Sequence, residues 1–293
     1  MSTPLTILIS GQGGQVATAL QHRLSGIARL IVPPRHELDL AQPQMIRQQI
    51  RSFRPDLIIN AAAYTRVDQA QSEPEQAFAI NAGAPGVFAE QAFELGIPLI
   101  HYSTDYVFDG KQEHPYVESD TPRPLNVYGA SKWAGEQAIT AVGGQHLILR
   151  TSWVYSRHGH NFLLSMLRLL QTQPQVRVVV DQLGAPTWAE TLAISTRALI
   201  ERWQSGHQGA WGTYHLSAAG ETSWFGFAQA IADHLRERQR PCAELRPIPS
   251  SDYPTPAPRP LNSRLDCRLL QQQWQVSQPD WQDALRECLA GPA

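Results

Sequence analysis

The sequence predicts an α/β protein: a Rossmann-type doubly wound parallel sheet carrying a smaller α/β substrate-binding domain. Three observations predict it. Short apolar runs alternate with helix-like stretches, the first run empties into a glycine-rich turn, and 293 residues supply about two structural units. The runs fall at 5–10, 30–32, 57–60, 99–102 and 147–150. A parallel sheet is covered by helices on both faces, so its strands read as near-continuous hydrophobic segments, as Asp56-Leu57-Ile58-Ile59-Asn60 does.

Between the runs, 43–53 and 73–95 have helical spacing, the second with Ala77, Ile80, Val87 and Ala92, and another helix starts near Asn126. Beyond about residue 153 the rhythm loosens into a helix at 161–171, a strand at 176–180, a helix at 189–203, a strand at 212–217 and a helix at 224–238. Pro247, Pro249, Pro254, Pro256, Pro258 and Pro260 then predict a long loop without regular structure. With Tyr253, Arg259, Asn262 and Arg264 in or beside it, that loop suits covering a ligand as well as connecting elements. The expected division is 1–153 plus about 188–208 for the dinucleotide, and about 154–187 plus 209–293 for the substrate.

Composition excludes several classes. No apolar stretch approaches the roughly 18 residues of a membrane span. Lys and Arg total 24 against 26 Asp and Glu, a net charge of −2, with no basic run to serve as a nucleic-acid footprint. Three cysteines without a Cys-x-x-Cys argue against a disulfide framework or zinc cluster and fit a reducing cytoplasm. Residues 1–4 run straight into the first strand, so no signal peptide is expected.

Gly11-Gln12-Gly13-Gly14-Gln15-Val16-Ala17 follows the first strand and matches a phosphate-binding turn. A tight reversal without side chains lets backbone N–H groups and a helix N-terminus approach a pyrophosphate. After the second strand stands Pro33-Pro34-Arg35-His36, with no acidic residue to bind a ribose 2′-hydroxyl. Arg35 suits a 2′-phosphate, so NADPH is the expected cofactor, with NADH use left open. Asp39 and Leu40 fall where the adenine would lie, and Ala61, Ala62 and Ala63 allow close passage of the cofactor.

The run 99–102 ends in Ser103-Thr104-Asp105-Tyr106, at the strand end where open α/β sheets bind ligands. Tyr128 and Lys132 stand at i and i+4 on one helix face. Only Lys111 and Lys132 are lysines, so Lys132 stands out against an arginine-rich background. An ammonium beside a phenol is expected to lower its pKa, leaving Tyr128 able to donate a proton to a ketone oxygen that Thr104 also holds.

Taken together, Gly11–Val16, Asn60-Ala61-Ala62-Ala63-Tyr64-Thr65-x-Val67-Asp68, the segment 103–108, Asn126-Val127-Tyr128-Gly129-x-x-Lys132, the segment 150–155, Asp181-Gln182-x-Gly184-Ala185-Pro186-Thr187 and Arg259-Pro260-x-Asn262-Ser263-Arg264-Leu265 resemble the extended short-chain dehydrogenase/reductase superfamily. Within it, nearly the whole chain is similar to the dTDP-4-dehydrorhamnose reductase family. The resemblance implies NAD(P)H-dependent reduction of the 4-keto group of dTDP-4-dehydro-β-L-rhamnose to dTDP-β-L-rhamnose for surface polysaccharide. It implies Tyr128, Lys132 and Thr104 as catalytic residues, and Gly11, Gly13, Gly14, Gln15, Val16 and Tyr64 among the cofactor contacts. Val67, Asp105, Tyr106 and Trp153 would line the sugar, and Arg259 and Asn262 would cover the diphosphate. Asp68 reads equally as a cap, a surface residue or a ligand contact. Some relatives bridge a dimer through a metal near the first helix and the position of Glu190. This chain has Thr18-Ala19-Leu20 on that helix, so no metal is expected and a monomer or weak homodimer is. His158-Gly159-His160 lacks further ligands at zinc spacing. A 4,6-dehydratase is disfavoured because Tyr106 replaces the glutamate it would need; a 4-epimerase, another nucleotide-sugar 4-ketoreductase and a non-catalytic NADP-binding regulatory subunit are the other readings.

Overall fold

The computed structural model describes residues 4–207 and 209–291; residues 1–3, read above as a leaderless start, lie outside the described residues. The first body follows the order β1 (Leu5–Ser10), α1 (Gln15–Leu24), β2 (Ala28–Ile31), α2 (Pro43–Phe53), β3 (Leu57–Asn60), α3 (Val67–Ala70), α4 (Pro74–Phe78), α5 (Ala84–Leu95), β4 (Leu99–Thr104), α6 (Val127–Val142) and β5 (His146–Thr151). The chain continues through β6 (Val154–Tyr155), α7 (Phe162–Thr172), β7 (Gln175–Val179), β8 (Leu183–Gly184), β9 (Thr187–Trp188), α8 (Ala189–Gln204), β10 (Gly212–His215), β11 (Thr222–Ser223), α9 (Trp224–Glu237), β12 (Glu244–Ile248), α10 (Arg268–Trp274) and α11 (Trp281–Ala290).

Six strands form the central sheet in the order β10-β5-β4-β3-β1-β2, every pair parallel. This is the doubly wound Rossmann-type α/β sheet that the apolar runs predict. β3 and β4 are buried along their whole lengths, as strands covered on both faces must be. One core lies under α1 and α8, with Leu20, Leu24, Leu192 and Leu199; the opposite core holds Ile46, Ile50, Val87 and Phe88 from α2 and α5. Proline at the start of α2 has no N–H to leave unpaired there, and its apolar pair Ile46 and Ile50 sits at i, i+4.

A third core gathers Tyr155, Leu163, Met166, Val176, Phe227, Ile231, Trp281 and Leu285 from α7, α9, α11 and the strands around them. It packs beyond the carboxyl ends of the sheet strands, where ligands of such folds bind.

Several expected boundaries shift. The second strand is 28–31 because its register follows Leu5–Leu8 of β1. The helix expected over 73–95 is interrupted by one π-helical turn, Ala79–Gly83, whose Asn81 side chain turns inward to bond the backbone of Tyr64. β10 stops at His215, at the point where its partner β5 nears its end. The proline-rich loop contains a strand after all: β12 pairs in parallel with β7 and includes Pro247. Glu244 donates its N–H to Pro174 on the β7 side, so alternation turns position 247 to the open edge, where the missing N–H of proline breaks no ladder bond. The three cysteines are free thiols, and no described helix is long and apolar enough to cross a membrane.

Candidate active site

The glycine turn joins β1 to α1 with Gly11 at φ +93° and Gly13 at φ +79°, a region side chains rarely adopt. A Cβ on Gly11 would also stand 3.1 Å from the backbone of Ala62, so this turn and the end of β3 close on each other only because both residues are small. Gly14 caps α1 with no side chain over the first turn, leaving that helix end open to an anion. Beside it is a cleft of about 420 Å³ lined by Gly11, Arg35, Asp39, Leu40, Ala62, Ala63 and Tyr64 among others. Arg35 is exposed at its wall and makes no ion pair among the described residues. The turn, the small residues and this guanidinium together fit an adenine dinucleotide bearing a 2′-phosphate.

The side chains of three expected cofactor contacts have other partners. Val16 and Ala61 pack against the core under the sheet. The Gln15 amide oxygen accepts from Ser156 Oγ at 2.9 Å and from Asn161 Nδ2 at 2.8 Å, so this side chain bridges to the smaller body; only its backbone remains at the helix N-terminus.

At the end of β4, Thr104 caps a short 3₁₀ turn, accepting from the Tyr106 N–H at 3.2 Å and donating to Asp105 Oδ1 at 3.0 Å. The helix that carries Tyr128 is brought onto this turn by Asn126, whose side chain caps Gly129 N–H at 2.8 Å. Gly129 permits the contact, since a Cβ there would meet the Tyr106 carbonyl. Thr104 lies beside the Tyr128 phenol, close enough to favour its charged form, and the Tyr128 ring meets Tyr106 edge-on, centroids 5.7 Å apart. Thr104, Asp105, Tyr106 and Tyr128 are thus one cluster.

The expected effect of Lys132 on that phenol is corrected. Burial pushes Tyr128 up to about 12, with Thr104 opposing and Asp105 adding to the shift. The Lys132 amine, one helical turn on from Tyr128, donates to the Tyr102 carbonyl at 2.6 Å and lies 3.2 Å from His101 Nε2. It is fully buried, and desolvation brings it down to about 8. Burial also raises Asp105 to about 6, and its Oδ2 has no partner.

Trp153 has φ +48°, strained for so large a residue, and stacks on Trp224 with centroids 3.6 Å apart. Val67 opens α3 next to Asp68. Arg259 reaches this edge, but donates to Asp68 at 2.9 Å and to the Ala257 carbonyl, so Asp68 is its partner here. Asn262 departs from its expected role over the diphosphate. Its Nδ2 donates to the Gln112 and His114 carbonyls and its Oδ1 accepts from Arg264, so the amide is fully engaged in pinning the loop. Asp181 likewise binds Ser250.

Sequence reasoning missed the buried groups behind the cluster. Glu136 accepts from Ser103 and pairs with Arg150, which stacks over Phe108 at 5.1 Å. Their signal was present: Lys132 and Glu136 share a helix face, and Arg150 ends an apolar strand. Asn81 ties Tyr64 to Ser131 on the Tyr128 helix. As for a metal, Glu190 is held by Arg23 and by His22 at 3.2 Å, and among the described residues no group of three or more metal-ligating side chains occurs.

A family model described as the RmlD substrate binding domain matches residues 5–292. A dTDP-4-dehydrorhamnose reductase of Burkholderia thailandensis is 42% identical over 97% of this chain and 98% of its own. That of Escherichia coli K12 is 43% identical over 97% of both. Among solved structures, dTDP-4-dehydrorhamnose reductase from Bacillus anthracis, in complex with NADP, superposes with a TM-score of 0.91 at 33% identity, covering 98% of this chain and 99% of that one. A Thermus thermophilus UDP-glucose 4-epimerase, 18% identical with a TM-score of 0.79, shares the fold. Matched from end to end by these reductases and built on the same sheet, the chain belongs to the dTDP-4-dehydrorhamnose reductase family.

Proposed function

We propose that this chain reduces the 4-keto group of dTDP-4-dehydro-β-L-rhamnose to dTDP-β-L-rhamnose, the last step in making this sugar donor for surface polysaccharide. The grouping of Thr104, Tyr128 and Lys132 at the end of β4, in the sheet whose first strand ends in the glycine turn, carries the reading. NADPH, with NADH use left open, would supply the hydride. Arg35 faces the 2′-phosphate, the helix α1 end and the Gly11 turn hold the pyrophosphate, and Asp39, Leu40, Ala62, Ala63 and Tyr64 line the remaining path.

On the sugar side, Thr104 and Tyr128 hold the ketone oxygen, and the Tyr128 hydroxyl donates its proton to that oxygen as the carbon is reduced. Its raised pKa keeps the proton in place until the oxygen becomes basic. Lys132 would orient the nicotinamide ribose, its amine anchored by the Tyr102 carbonyl. Asp105, Tyr106, Val67 and Trp153 shape the sugar pocket. Arg259, released from Asp68, meets the diphosphate, a role that suits a planar guanidinium.

In this reading 1–153 with about 188–208 serve the cofactor, and 154–187 with 209–293 serve the sugar. The separate core around Phe227 and Trp281 supports a second body, while β10 and Trp274 belong with the central sheet and its core. We place the enzyme in the cytoplasm as a monomer or weak homodimer needing no metal, nucleic acid or membrane. The test is NADPH oxidation by the purified chain with the dTDP-4-keto sugar generated in place by a 4,6-dehydratase. Oxidation that needs a 3,5-epimerase and yields dTDP-L-rhamnose is the expected result; NADPH left untouched under these conditions overturns the assignment.

A further inference from the structure

His101 is fully buried in the middle of β4, between two polar neighbours on different elements. From α6, Lys132 Nζ lies 3.2 Å from His101 Nε2. From β3, Asn60 Nδ2 lies 3.0 Å from His101 Nδ1. Asn60 is itself fixed: Ser10 on β1 donates to its Oδ1 at 2.6 Å, while Ser10 Oγ accepts the Ala62 N–H at 3.3 Å. A single line of contacts therefore runs from the strand ends that flank the glycine turn to the amine beside Tyr128. Glu136, on the Lys132 face of α6, is already paired with Arg150, and among the described residues no other charged side chain bonds this line.

The Asn60 amide, with its Oδ1 held by Ser10, turns Nδ2 toward the ring. With Asn60 Nδ2 donating, His101 Nδ1 is an acceptor, so a neutral ring carries its hydrogen on Nε2, facing Nζ. Burial and the neighbouring lysine both disfavour an imidazolium. An amine offers that N–H a lone pair; an ammonium offers only hydrogens. The Tyr102 carbonyl accepts from either form.

We propose that His101 is a positioning residue for the reduction: its neutral imidazole, held as the Nε2–H tautomer by Asn60 and Ser10, fixes the Lys132 amine one helical turn from Tyr128 and sets the balance between its ammonium and amine forms. The proposal rests on the role given to Lys132 above. It implies that the phosphate-turn strands β1 and β3 control the charge beside the proton donor through a path that no ligand contact reveals.

The test uses the full chain without and with NADPH. Because the sequence has only two lysines, one exposed at Lys111 and one buried at Lys132, ¹³Cε-lysine NMR reads the Lys132 titration as a resolved resonance. Asn60→Asp should turn His101 to the Nδ1–H tautomer, present Nε2 as an acceptor, and raise the Lys132 midpoint by one pH unit or more. Combining it with His101→Leu should remove at least half of that rise. An equal rise in both backgrounds would mean a through-space effect of the new carboxylate and would overturn the proposal. Should these variants fold poorly, ¹⁵N-histidine NMR of the unmodified chain decides: a neutral ring with hydrogen on Nε2 from pH 6 to 9 is expected, and hydrogen on Nδ1 refutes it. His101→Leu should also lower kcat about tenfold and move the alkaline limb of the pH–rate profile, with partial recovery in His101→Gln. If the chain proves inactive on the dTDP-4-keto sugar, both NMR results still judge His101, so the two readings fail separately.

Discussion

Glu136 and Arg150 meet as a buried pair, Oε2 to Nη2 at 2.7 Å, with neither side chain more than 3% exposed. Arg150 lies over Phe108 and Trp133, and Glu136 also accepts from Ser103, one residue before Thr104. Removing one member of such a pair leaves an uncompensated buried charge, at a cost of about 3–5 kcal/mol. Glu136→Gln should therefore lower the urea midpoint sharply, and the double variant Glu136→Leu with Arg150→Met should recover much of the loss. Equal destabilisation of both would show that packing, not charge, dominates here.

Tyr128→Phe keeps the ring against Tyr106 and removes only the hydroxyl. Turnover should fall by roughly 10²–10⁴, the range of a general acid, with NADPH binding retained by fluorescence titration. Loss of nucleotide binding instead would make Tyr128 a structural residue.

Asp105 gives a pH dependence of stability. Its carboxyl is raised from 3.8 to about 6 by burial, so the folded chain keeps a proton that the unfolded chain releases. Stability is favoured below pH 4, declines as pH rises from 4 to 6, and stays lower above 6, by about 3 kcal/mol at most. Asp105→Asn should flatten that decline and match or exceed the unmodified chain at pH 8 in urea denaturation. A variant whose stability declines as steeply as the parent's between pH 4 and 6 would assign the effect to another group.

Arg259→Ala should raise KM for the dTDP sugar about 10- to 100-fold, as expected for hydrogen bonds to a charged group worth roughly 1.5–3 kcal/mol. The Kd of NADPH should not change. A kcat effect without a KM effect would move Arg259 from binding to catalysis.

Gly184 lies against the Trp153 indole, and an added Cβ would stand 2.5 Å from the ring. Gly184→Ala should push the indole off Trp224, cost about 1–3 kcal/mol by overpacking, and raise KM for the sugar more than Kd for NADPH. Unchanged tryptophan fluorescence would show that the backbone, not the indole, yields.

Much of this was legible in the sequence because it depends on local pattern. The apolar run of β3, the proline at the start of α2 and the i, i+4 spacing of Tyr128 and Lys132 are properties of single segments. What stayed hidden depends on neighbours distant in the chain. His101 looks like an interruption of a hydrophobic run until β3 and α6 place Asn60 and Lys132 on its two nitrogens. Asn262 and Arg259 look alike in a proline-rich loop, yet one has its amide wholly engaged by loop backbone and Arg264 while the other is paired with a half-exposed carboxylate. Pro247 reads as a strand breaker until the register of β7 shows which edge it faces.

The Gln15 bridge has a mechanical meaning. It fastens the base of the phosphate turn to Ser156 and Asn161 on the smaller body, while the Asp68–Arg259 pair fastens the opposite edge. The first fastener is built from neutral amide and hydroxyl groups and the second from charges that an anionic sugar nucleotide competes for. Salt should therefore weaken the charged fastener and leave the neutral one intact.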